Sequence, residues 1–162
     1  MEKLILLFIS SLIVTTTLFS LEMKTAMNDL FGVTTSGQQT VLNRNIKADY
    51  LFDKKFTLNN VAYQSYFFYT QQVDDEGEAC FGPSCDVANN IITYKEDRGA
   101  WRIVSKQYEL FRSGMWGNPY VSFHSMFYPS QHNVFFLLDN PYIGYGISQD
   151  YKELLSYSST DE

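Results

Sequence analysis

Residues 50–73 read YLFDKKFTL-NN-VAYQSYFFYTQQV, and this stretch decides the fold class. Two runs rich in Tyr, Phe, Val and Thr flank Asn59-Asn60, residue types that tolerate the left-handed conformation a tight hairpin turn requires. A β-hairpin is the natural reading. In the second run Val61, Tyr63, Phe67 and Tyr69 point one way and Ala62, Tyr66 and Phe68 the other, because successive strand residues face opposite sides. Both faces carry large apolar side chains, so this strand belongs at the centre of a sheet.

The same grammar extends outward. Asp74-Asp75-Glu76-Gly77-Glu78 breaks the chain, and residues 87–95 and 100–111 then flank Glu96-Asp97-Arg98-Gly99 as a second hairpin. Residues 114–119 form a loop, after which 120–128 alternate. Val121, Phe123 and Phe127 are expected on one side there, and Ser122, His124 and Met126 on the other. Residues 129–133 turn the chain, 134–138 run back, Asp139-Asn140-Pro141 breaks it again, and 142–147 form a last strand before a polar tail at 156–162. Pro83, Pro119, Pro129 and Pro141 all fall between these runs, as expected of a residue that cannot donate to a ladder. Upstream, 33–49 read as loop with one short strand around 40–42. Met23, Met27, Leu30 and Phe31 make one apolar stripe at helical spacing, with Gly32 as the stop. The expected fold is mainly β: an antiparallel sandwich or barrel of about six to eight strands, with one short N-terminal helix after a targeting segment.

Composition agrees. The 162 residues are the size of one domain, and 45% hydrophobic with 19% charged is a globular balance. With 12 Tyr and 13 Phe against 2 Trp, the aromatic content favours pleated, half-buried surfaces. A net charge of -6 and scattered basic residues argue against nucleic-acid binding, which needs clustered Lys and Arg. A polybasic membrane patch is excluded for the same reason.

Residues 1–20 read as an address. Lys3 and the amino terminus supply a positive start, Leu4-Ile5-Leu6-Leu7-Phe8-Ile9 opens an apolar run reaching Val14, and Thr15 to Ser20 supplies small residues for a peptidase. Cleavage after Ser20 is expected, leaving 21–162 as a single exported β-rich domain; contact with the membrane is then confined to the targeting segment. The alternative is an uncleaved inner-membrane anchor, but three threonines and two serines between Leu4 and Thr17 make a poor spanning helix. Cys80 and Cys85, the only cysteines, bracket Phe81-Gly82-Pro83-Ser84 and should pair in an oxidising compartment. A redox pair has two residues between its cysteines and here there are four; a metal site wants ligands the chain lacks, with two histidines and no further cysteine. The chain has no Asn-x-Ser/Thr acceptor, which turns the reading towards a bacterial periplasm or exterior.

No motif announces a reaction. His124, on a strand, and His132, at a turn, are held apart by the strand between them; the five positions from His124 to Pro129 alone span roughly 16 Å. Ser122 lies near His124, but no Gly-x-Ser-x-Gly elbow accompanies it. The acidic run 74–78 lacks the ligand spacing of a calcium loop and reads as a solvated hairpin tip. Neither a catalytic residue, a metal ligand nor a cofactor is assigned. The aromatics Tyr63, Tyr66, Phe67, Phe68, Tyr69, Trp101, Trp116 and Tyr120 read chiefly as core. Trp116 is set apart by its Gly-bracketed loop, and with Tyr120 it is the expected partner contact. The expected function is a non-catalytic exported binding protein whose loops near Trp116 and Cys80 to Cys85 meet a protein or an envelope glycan. The alternatives are a small envelope-acting hydrolase using a carboxylate pair and a structural envelope component.

Overall fold

The computed structural model describes residues 21–160 apart from 36, 44, 81, 83, 84, 86, 114–118, 145 and 146. The expected targeting segment at 1–20 and Trp116 lie outside the described residues.

One helix, α1 (Met23–Phe31), precedes ten strands: β1 (Gln39–Asn43), β2 (Ile46–Leu58), β3 (Val61–Gln72), β4 (Val87–Asp97), β5 (Ala100–Ser113), β6 (Ser122–Ser130), β7 (Asn133–Asp139), β8 (Tyr142–Gly144), β9 (Ile147–Gln149) and β10 (Lys152–Ser158). The first five form an antiparallel meander in chain order; β10, β7 and β6 form a second sheet, and β8 pairs with β9 alone. Two turns propagate the meander. Asn59-Asn60 (φ 50° and 63°) and Arg98-Gly99 (φ 54° and 85°) are both left-handed, and two successive positive φ values match the twist of the flanking strands.

β3 is central, as its two apolar faces require. On one face Tyr63 and Phe67, joined by Phe56, Leu58 and Ile91, pack against Val134, Phe136 and Leu138 of the smaller sheet. Rings interlock there: Phe56 and Phe67 each meet Phe136 edge-on, at centroid separations of 5.4 and 5.6 Å, an arrangement each aromatic quadrupole favours. The two sheets thus share a core in a sandwich-like arrangement. On the other face Tyr66, Phe68, Ile92 and Tyr94 receive Ala26, Met27 and Leu30 of α1. Burying each of these larger side chains is worth about 1.5–3 kcal/mol, so the helix is held by its stripe rather than by intrinsic propensity. Tyrosines fasten it further. Tyr94 donates to Asp29 at 2.7 Å, Tyr108 to the Leu30 carbonyl at 2.6 Å, and Tyr66 to the Leu21 carbonyl. Burial first, then the bond to Asp29, pushes the Tyr94 phenol far up, keeping it a donor. Gly32 ends the helix at φ 69°, its N–H on the Asn28 carbonyl.

The structure departs from the sequence reading at several places. β2 begins four residues before the expected run, at Ile46. The expected strand 142–147 is instead a hairpin of two three-residue strands. The polar tail begins as a strand, β10, because Leu155 and Tyr157 reach the core while Leu154 and Ser156 face outward. Pro129 lies inside β6, not after it; β6 is an edge strand, and its register slips between Phe127 and Ser130, where no ladder N–H is needed.

Candidate functional site

Cys80 and Cys85 are joined, with Cα atoms 5.7 Å apart. The bridge closes a loop that leaves β3 and enters β4, where Cys80 donates its N–H to the Gln72 carbonyl. Val87, two residues past Cys85, faces Ser113 across the sheet, so the disulfide lies at the same end of the sheet as the last residue of β5. Buried polar side chains gather at that end of the sheet. Asp49 pairs with Lys47 at 3.6 Å, and Asn89 donates to Ser113 at 2.7 Å and to the Phe111 carbonyl. Tyr120 is exposed, in left-handed conformation, two residues before β6. Of the other aromatics named from sequence, Tyr63, Tyr66, Phe67 and Phe68 are buried, Tyr69 and Trp101 half-buried.

The acidic run closes on itself. Asp74 accepts the N–H groups of Glu76 and Glu78 on one carboxylate oxygen, at 3.1 and 2.8 Å, which tightens the turn between Val73 and Ala79.

The histidines go to separate partners. His132 sits at the β6–β7 turn, where Asn59 of the β2–β3 hairpin reaches its Nδ1 at 2.6 Å and donates its backbone N–H to Gln131; this contact staples the two sheets at their tips. His124 occupies a bulge. Phe123 faces Leu138 and Ser125 faces Leu137, leaving one extra residue between them, and such an insertion reverses the alternation beyond it. Met126 therefore turns into the core with Phe123, and Phe127 turns out, opposite to the expectation from unbroken periodicity.

The consequence is the outer face of the smaller sheet. Phe127 stands 44% exposed beside Phe135 of β7, ring centroids 5.3 Å apart and 82° inclined. In the next row Leu137 faces Leu154 of β10, itself 56% exposed. At one end of this strip Asp139 accepts from Lys152 of β10 and lies 3.3 Å from His124 Nδ1, so one carboxylate links all three strands. The Lys152 and His124 contacts hold its carboxyl below the usual range. Tyr120 enters β6 at this same end. The face is thus a short apolar strip with a charged border, built by a bulge that periodicity could not reveal.

His124 and Asp139 have the residue types of an oriented base, yet their placement does not suit one. Lys152 Nζ also lies 3.2 Å from the same Nδ1, competing for the nitrogen that an orienting carboxylate must hold, and all three side chains stand on an open face without the enclosed donors that acyl transfer needs. Among the described residues no group of three His, Cys, Asp or Glu side chains is placed to hold a metal ion, and no helix is long and apolar enough to cross a membrane.

No protein-family model matches the chain, and neither a curated protein nor a solved structure matches it.

Proposed function

We propose that the chain is an exported, non-catalytic binding protein and that its partner is another protein, docked on the outer face of the smaller sheet. The observation that carries this reading is the outward strip of exposed Phe127 and Leu154 with half-buried Phe135 and Leu137, bordered by Lys152, Asp139 and His124. An apolar centre with a polar rim is the anatomy of a protein interface. A glycan platform is the weaker fit. Sugar rings stack on open aromatic faces, whereas Phe127 and Phe135 meet edge to face and two of the four side chains are leucines. Tyr120, at the His124 end of β6, extends the same proposed contact.

Hydrolysis by a carboxylate pair has less support. Glu22 and Asp53 border one pocket, but both Asp53 oxygens already accept hydrogen bonds, from Tyr50 at 2.7 Å and Gln64 at 2.8 Å. Such a group is arranged to receive donors rather than to carry a proton to a substrate. The proposed place of work is a bacterial periplasm or exterior, supported by the character of residues 1–20 and by the Cys80–Cys85 bridge.

Leu154→Lys tests the contact. Wild-type and variant protein are used in parallel as bait in extract of the envelope compartment, with thermal unfolding run on both. The expected result is a partner protein captured by wild type and lost with the variant at unchanged unfolding midpoint. Identical capture by the two baits would remove this face from the account. Sedimentation of the purified protein separates the case in which the partner is a second copy of this chain.

A further inference from the structure

Gln64 lies in the middle of β3, on the face that receives α1, and is only 1% exposed. Its amide nitrogen donates to Asp53, yet its carbonyl oxygen Oε1 has no hydrogen-bond partner. A buried acceptor left unpaired is costly, and this one belongs to a residue that borders a pocket. The pocket is an open one of about 560 Å³ beside the first turn of α1, bordered by residues 21–24, Asp53, Gln64 and Tyr66. Its polar groups are mostly acceptors. Asp53 and Glu22 supply carboxylates and Gln64 an amide oxygen, while the Tyr66 proton is already given to the Leu21 carbonyl. Glu22 and Lys24 are both exposed.

We infer that this pocket binds a primary ammonium group, which carries three donors and a positive charge and so answers both the unpaired Gln64 oxygen and the carboxylates of Asp53 and Glu22 that border the pocket. Two sources offer that chemistry. One is a free alkylammonium ligand. The other is the chain itself: removal of residues 1–20 creates an α-ammonium on Leu21, at the border of this pocket and pinned there through its carbonyl by Tyr66. The second source rests on the export reading; the first does not, and neither depends on the smaller sheet.

The test uses the mature protein, its N-terminus read by intact mass so that failure of the cleavage reading is seen separately. Thermal midpoints are measured with 1,4-diaminobutane against potassium chloride at equal ionic strength, before and after acylation at about pH 6.5, where α-amines react ahead of lysines. A free-ligand site gives a rise with the diamine in the untreated protein. Occupancy by the α-ammonium gives a fall on acylation, with the diamine restoring the midpoint only afterwards. In either case Gln64→Met and the more conservative Asp53→Asn should weaken the response about tenfold or more in diamine concentration, and Lys24→Met should leave it intact. The inference is overturned if neither treatment moves the midpoint beyond the potassium control, if both pocket variants respond like wild type, or if the response vanishes with Lys24→Met instead.

Discussion

At Asp139 one carboxylate serves three strands, and its surroundings make a prediction about protonation. The hydrogen bond from Lys152 is the larger influence and the His124 contact the smaller, and together they lower the carboxyl. A carboxyl whose folded value lies below its unfolded value contributes stability above the unfolded value, and that contribution is lost as pH falls through the folded one. Lys152→Met should therefore move the Asp139 titration, followed by NMR, up towards the ordinary aspartate range and shrink this contribution, leaving less of it to be lost on acidification. A curve that stays where it was would show that the lysine contact is absent in solution. Other single residues were legible from the start. Asn59-Asn60 and Gly32 announce left-handed backbone through their side chains, or lack of one, and they adopt it. The role of Asp139 was not legible, because a carboxylate before Asn-Pro reads as a strand end until β10 is known to pair beside it.

Elements divide along the same line. α1, the meander and both hairpin turns followed from local patterns, since each depends on residues near in sequence. β6 and β10 did not. The alternation in residues 120–128 is clean only if the register is unbroken, and the bulge at His124 exchanges the faces of Met126 and Phe127. β10 looks like a tail because only Leu155 and Tyr157 face inward, and its pairing with β7 is what makes a strand of it. The two readings of β6 differ measurably. Met126→Asp should cost at least about 2 kcal/mol by placing a charge against the core, whereas Phe127→Asp should cost about 1 kcal/mol or less, the edge contact with Phe135 being its main loss. Chemical denaturation of the two variants decides the matter; the reverse ranking would restore the unbroken strand and take Phe127 off the outer face. The proposed docking strip was hidden for this reason: it is assembled from β6, β7 and β10, whose shared outward face depends on one inserted residue.

For the whole molecule, the two sheets and α1 account for most of the aromatic residues as packing: Tyr63, Phe67 and Phe56 between the sheets, Tyr66, Phe68 and Tyr94 under the helix. The outer strip of the smaller sheet and the pocket beside Leu21 are the two places proposed for binding, and both belong to a protein proposed to be exported. Export is the claim on which the partner, the compartment and one source of the ammonium all depend. Its most direct test is the mass of the protein recovered separately from the envelope and cytosolic fractions after treatment with a thiol-alkylating reagent under denaturing conditions. The expected result is a chain in the envelope fraction or medium that begins at Leu21 and takes up no reagent, both sulfurs being in the Cys80–Cys85 bridge. A cytosolic chain that retains Met1 and is alkylated at both cysteines would contradict it.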